Sequence, residues 1–162
     1  MDKLRLFLAT MVLALLAVAA AYALDALPKA PPVPRDNPMT PAKVELGKKL
    51  YFDPRLSSTG TVSCNTCHDV TRAGGDDGQP VSTGIEGRKG TRSAPTVWNS
   101  AFLSVQFWDG RSPSLEDQAK GPIVNPVEMG MADHAAMLAR VKTIPAYVEE
   151  FRQVFGGDDP VT

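Results

Sequence analysis

The chain has 162 residues, 17 Lys and Arg against 18 Asp and Glu, and a formal net charge of -1. With the basic residues spread thinly along it, there is no electrostatic footprint for nucleic acid, and the length suits one domain with a single core. Fourteen prolines and thirteen glycines cluster between helical patches, which argues for a mainly α, loop-rich domain.

In chain order, Lys3 and Arg5 precede an apolar run from Leu6 to Ala21, and Ala21-Tyr22-Ala23 is the small-residue pattern of signal peptidase cleavage. Residues 1–23 therefore read as a secretory signal, with a periplasmic destination for the rest. The alternative is an uncleaved leader that anchors the chain, since the run is nearly long enough to span a bilayer. Residues 24–40 form a proline-rich extended arm (Pro28, Pro31, Pro32, Pro34, Pro38) with little hydrogen-bonded structure of its own. The domain proper is expected over residues 41–162.

A helix is expected from Pro41, capped by Thr40, with Val44 and Tyr51, and Leu46 and Leu50, as apolar pairs; it should stop before Pro54. Gly47 inside it costs about 1 kcal/mol relative to alanine unless close packing requires the missing side chain. Asp53 to Thr61 is a turn-rich approach to Cys64-Asn65-Thr66-Cys67-His68, which is expected to be helical through Val70.

This last stretch is C-x-x-C-H, the c-type haem attachment sequence. Both thiols add to haem vinyl groups, and the adjacent His68 is carried onto the iron as proximal ligand. One covalently attached haem c is therefore expected. A thioredoxin-type pair would need a βαβ pattern, which is not found. A zinc site would want a second Cys/His pair, and the only other histidine is His134. A disulfide here would close too short a loop to add much stability. Export and c-type haem attachment belong to the same compartment in bacteria, so leader and motif support one another.

Thr71 to Arg92 is glycine-rich and polar, either a linker or a loop shaped for close approach; no Walker-type spacing makes it a phosphate cradle. Trp98, Phe102, Leu103 and Phe107 read as core. Short helices follow at Leu115–Lys120, capped by Ser114, at Asp133–Lys142 with His134 exposed in its first turn, and at Tyr147–Phe155.

The run Leu46 to Ser57, then Gly60 to His68, Asp77-Gly78, Arg88-Lys89-Gly90, Ala94-Pro95-Thr96, Gln106 to Arg111, Leu115 to Ala119, Gly121-Pro122-Ile123 and Asn125 to Met129 resemble the N-terminal domain of the bacterial di-haem cytochrome c peroxidases and their MauG-like relatives. The resemblance implies a cytochrome c-like fold holding the peroxidatic haem. His68 is then the proximal ligand, Glu128 the distal acid/base and Gln118 its hydrogen-bonding neighbour, with Trp108 helping electrons pass between haems. A carboxylate in a poorly solvated pocket can take a proton from the peroxide oxygen on iron and deliver it to the one that leaves, while Gln118 orients peroxide without holding a charge. On the residues alone, Glu128 reads as a solvated loop acid, Gln118 as a surface amide, and Arg111 and Lys89 as solvated or haem propionate partners.

By the same resemblance the partners are hydrogen peroxide and either a second haem domain or a small electron-donor protein, a cytochrome c or a cupredoxin; a homodimer is compatible with it. Two positions depart from the pattern. Ile85 stands where many of these peroxidases carry a histidine that ligates the resting iron, which implies a distal face open without reductive activation. Ser93 replaces an asparagine that helps bind calcium, and serine is the weaker oxygen donor, so calcium is a weak expectation. The second C-x-x-C-H domain is absent, and Gly156 to Thr162 shows no clear closing element, which favours a fragment or truncation. The rival reading is a single-haem electron carrier with Met129 or Met131 as sixth ligand; a non-catalytic haem sensor is a third.

Overall fold

The computed structural model describes residues 2–21, 26–72 and 78–162, with side chains left out over 15–21. Tyr22 and Ala23 of the cleavage pattern, and Gly74, Gly75 and Asp77 of the glycine-rich stretch, lie outside the described residues. The chain divides into two compact units, Met1–Ala30 and Pro31–Thr162. The first contains helix α1 (Lys3–Ala21), on which Leu4, Phe7 and Leu13 are more than half exposed. Among the described residues no helix is long and apolar enough to cross a membrane.

The second unit is mainly α and loop-rich. Its helices are α2 (Pro41–Phe52), α3 (Cys64–Cys67), α4 (Leu115–Val124), α5 (His134–Lys142) and α6 (Pro145–Phe155), with 3-10 turns at Pro54–Leu56, Ile85–Gly87 and Ser100–Phe102. No strand occurs among the described residues; two isolated β-bridges join Thr83 to Lys89 and Gln106 to Ser112. Three helix starts follow from side-chain chemistry. Thr40 accepts from the Lys43 N–H at 3.2 Å, Ser114 from Asp117 at 3.1 Å and Asp133 from Ala136 at 2.7 Å, each oxygen satisfying a donor that has no partner within the first turn.

α2 packs on α6, and α5 packs on α4, α6 and the 54–56 turn. Their inner faces make one core from Leu46, Leu56, Val62, Ile85, Met129, Val141, Tyr147 and Val161. Val161 belongs to the tail for which no closing element was expected; its side chain is in the core, and Asp159 pairs with Lys142 at 2.8 Å. Nor is the proline-rich arm loose from Pro31 onward. Asn37 donates to Glu116 at 2.9 Å and accepts from Lys43 at 3.0 Å, tying the arm to the starts of α4 and α2.

The structure corrects several expectations. Trp98 and Leu103 are not core: they are 58% and 60% exposed, because the 94–105 segment contributes one 3-10 turn and runs over the surface. The haem-motif helix ends at Cys67 rather than Val70. His68 has left helical geometry, and the Val70 N–H is taken by the Asn65 side chain at 3.2 Å. α4 runs past Lys120 to Val124 despite Pro122. The residue before that proline is Gly121, with no Cβ to meet the proline ring. Nothing lies within 4 Å of a Cβ built on Gly47, so no close packing explains that glycine.

The approach to the haem motif is fixed by one polar node. Asp53, buried, accepts from the Arg55 backbone at 2.9 Å, from the Arg55 guanidinium and from the Tyr147 hydroxyl at 2.7 Å. Ser57, fully buried, donates its hydroxyl to Pro54 O at 2.8 Å and accepts from the N–H groups of Thr61 and Val62 at 3.1 Å each. Arg140 of α5 donates to the carbonyls of Ser57 and Arg55. The turn that delivers Cys64 is thereby pinned to the two C-terminal helices.

Candidate active site

Cys64 and Cys67 stand at the two ends of the single turn α3, partly buried, as thiols rather than as a disulfide. Burial pushes the Cys64 thiol up from its ordinary value, and the Cys67 thiol donates to Thr83 O at 3.8 Å. His68, at the C-cap, places Nδ1 2.8 Å from the carbonyl oxygen of Pro95. A carbonyl only accepts, so Nδ1 carries the proton and Nε2 keeps its lone pair for a metal. The Tyr51 hydroxyl donates to the His68 carbonyl. Burial first, then the neighbouring Cys64 and Asp69, push Tyr51 up to about 12, so it stays a donor. Two thiols one helical turn apart and an imidazole with its tautomer set are the donor set that covalent haem attachment requires, and these residues fit that group.

Glu128 lies on the Asn125–Gly130 turn. Asn125 builds this turn: its Oδ1 accepts from the Val127 N–H at 2.9 Å and its Nδ2 donates to Glu128 Oε1 at 3.0 Å. The carboxyl lines a cleft of about 480 Å³ with Phe107, Arg111, Gly121, Pro122 and Asn125. Burial raises its pKa, and the positive charge of Arg111 offsets this only in part. Arg111 is itself engaged, at 2.7 Å from Asp109, which also takes Arg92 at 2.8 Å. These two guanidiniums hold the Asp109 carboxyl below the usual carboxylate range.

The glycine-rich loop joins thiols to acid. Thr83 touches Cys67; one residue on, a Cβ at Gly84 would stand 1.9 Å from the Val127 carbonyl oxygen and 2.6 Å from that of Glu128. The Ile85 N–H donates to Glu128 O at 3.0 Å, and Arg88 donates to Pro126 O at 2.9 Å. The loop is thus shaped for close approach, one of the two readings its glycines allowed. Ile85, which stands in the column of the family's ligating histidine, is a core residue packed against Gly130.

Of the other residues anticipated, Gln118 is half-buried on α4 but is not among those lining the cleft; its neighbours Asp117 and Gly121 are. Trp108 is 66% exposed and donates its indole N–H to Ser93 O at 2.9 Å. Lys89 donates to the Thr83 hydroxyl, and Ser93 donates to Gln79 O at 3.3 Å. Among the described residues no three His, Cys, Asp or Glu side chains cluster as a metal site. Met129 and Met131 are 3% and 5% exposed, and Met129 packs in the helical core. His134 is exposed as expected, donating Nε2–H to Lys120 O at 3.0 Å.

Reading the sequence missed Asn125, although an Asx turn ahead of Pro126 was there to be seen. It also missed Pro95, whose backbone oxygen carries no side-chain signature. Phe107, assigned to the core, is a wall of the Glu128 cleft.

Comparison with known proteins agrees with this arrangement. The family model described as di-haem cytochrome c peroxidase matches residues 41–162. A cytochrome c551 peroxidase of Pseudomonas aeruginosa is 49% identical over 121 residues, which are 75% of this chain and 34% of that protein. The methylamine utilization protein MauG of Methylorubrum extorquens is 44% identical over 83% of this chain and 37% of its own. A crystal structure of a MauG-like protein associated with microbial copper homeostasis superposes with a TM-score of 0.75 at 36% identity, covering 86% of this chain and 43% of that one. The chain thus spans about a third of the curated relatives it matches. With a haem-attachment turn, an imidazole fixed in its tautomer and a half-buried acid joined by one loop, and with matches of this extent, the chain belongs to the di-haem cytochrome c peroxidase family.

Proposed function

We propose that this chain is the peroxidatic portion of a c-type haem peroxidase that reduces hydrogen peroxide to water in the periplasm. Residues 1–23 are its export leader, and a second haem domain or a small cytochrome c or cupredoxin supplies the electrons. The carrying observation is Glu128: a half-buried carboxyl with its pKa raised, oriented by Asn125 in a cleft, and tied by the 83–88 loop to the haem-attachment turn. Overall, one hydrogen peroxide, two protons and two electrons give two waters.

Cys64 and Cys67 would hold haem c by thioether bonds, and His68 Nε2 would ligate its iron. When bound, the haem supplies an iron that accepts peroxide and passes the two electrons. Glu128 accepts the proton from the nearer peroxide oxygen and returns it to the departing one, which makes the leaving group water rather than hydroxide. Asn125 Nδ2 holds the carboxyl in place for both transfers. The charge of Arg111 favours the ionised carboxyl and offsets part of the cost of burial. Gln118, outside the cleft lining, has the weaker claim to a catalytic role.

The test is Glu128→Gln in the haem-loaded protein. Covalent haem should be kept and peroxide turnover should fall by about 10²-fold or more; unchanged turnover removes Glu128 from the mechanism. A resting ferric spectrum that is high-spin supports an open sixth position. Low-spin methionine ligation would favour the electron-carrier reading.

A further inference from the structure

Phe107 combines features that core packing does not require. Its backbone is left-handed, with φ +65°, a region that strains a bulky residue and suits glycine or asparagine. It is held there from both sides. The Gln106 N–H donates to Ser112 O at 2.8 Å and the Gln106 side chain to Ser100 O at 3.2 Å, while the Gly110 N–H returns to Phe107 O at 3.2 Å. The ring is clamped as well. The Arg111 guanidinium stacks 3.4 Å from its centroid, and Arg111 is anchored on Asp109, which also binds Arg92. At the ring's tip, a Cβ on Gly121 would stand 3.5 Å from Cζ, so the ring lies close against α4 at a position with no side chain. Phe107, Arg111 and Gly121 all line the cleft that holds Glu128. An aromatic ring kept in a strained conformation and braced on a guanidinium beside an acid is a wall set at a chosen distance.

We propose that Phe107 is a specificity-determining residue whose ring narrows the Glu128 cleft, so that hydrogen peroxide enters and bulky organic hydroperoxides do not. This inference rests on the peroxidase reading of Glu128 and adds the size of the substrate to it. Arg111, braced by Asp109, acts through the ring as a positioning residue.

The test uses Phe107→Gly, which removes the ring and suits the positive φ, and Phe107→Asn, which is also tolerated there and serves if the glycine variant does not fold. Two readouts are taken on haem-loaded protein. The first is the ratio of kcat/KM for cumene hydroperoxide to that for hydrogen peroxide. The second is the ratio of equilibrium affinities for 4-phenylimidazole and cyanide, read from absorption spectra without turnover. Both ratios should rise by about tenfold or more, the scale of discrimination a steric pocket achieves. Unchanged ratios, or bulky ligands accepted equally by the parent protein, overturn the proposal, as does a parent that binds neither ligand. A parent protein that shows the size-dependent binding but turns over neither peroxide sinks the peroxidase reading while leaving the gate in place.

Discussion

Replacing Tyr147 by phenylalanine asks whether the Asp53 node holds the approach to the haem motif. The Tyr147 hydroxyl donates at 2.7 Å to a carboxylate whose side chain is 6% exposed. The Arg55 guanidinium, chiefly, together with the tyrosine hydroxyl, holds Asp53 at about 2 against an ordinary 3.8. At 1.36 kcal/mol per pKa unit that gap corresponds to about 2.4 kcal/mol. Arg55 is 55% exposed, so solvent screening reduces the ion-pair share to about 1 kcal/mol or less. The tyrosine bond is buried and ends on a charged acceptor, so its loss should cost about 1.5 kcal/mol. Since the folded-state pKa lies below the unfolded one, this stabilisation is complete above about pH 4 and is lost as pH falls through the folded value near 2. Urea denaturation of haem-loaded parent and variant, followed by far-UV circular dichroism, should therefore show a gap of about 1.5 kcal/mol at neutral pH that shrinks in acid. A gap below about 0.5 kcal/mol, or one of constant size down to about pH 2, would refute the reasoning, because neither is compatible with a buried bond to an ionised carboxylate.

Three other outcomes are expected. Gly84→Ala drives a methyl into the Val127 and Glu128 carbonyls; denaturant midpoints should show a loss of about 3 kcal/mol, and wild-type stability would mean the loop is not docked there. Cys64→Ala with Cys67→Ala should leave no haem on the polypeptide in a denaturing gel, and a retained adduct would contradict the attachment chemistry. Because burial raises the Glu128 pKa above its ordinary 4.5, and the ionised form must accept the first proton, kcat/KM for peroxide should fall on the acid side with a midpoint above that value; a limb at or below it would show that some other group titrates.

What the sequence made legible is what is encoded within a few residues. Thr40 and Ser114 announced their helices because a cap oxygen and its N–H partner lie three residues apart. The C-x-x-C-H motif was readable for the same reason, as one turn presents all three donors. The rest depends on partners distant in the chain. Tyr147 meets Asp53 across 94 residues, Arg140 meets Ser57 across 83, and His68 meets Pro95 across 27. No local pattern marks the far member of such a pair. Glycines alone left the 71–92 stretch undecided, and only the carbonyls facing Gly84 show what they serve. Trp98 and Leu103 were misjudged because apolar character predicts burial on average and says little about a particular loop.

The hydrogen bond from His68 Nδ1 to the Pro95 carbonyl bears on how the cofactor is acquired. An unrestrained histidine would divide its time between two tautomers and several ring orientations, and each would have to be abandoned when iron arrives. Here the ring is parked beforehand. Because Pro95 offers its oxygen through the main chain, side-chain replacement at that position leaves the acceptor in place as long as the backbone holds. Maturation thus requires two sulfur–carbon bonds to be made, while the imidazole is already held by Nδ1 with Nε2 left to face the metal.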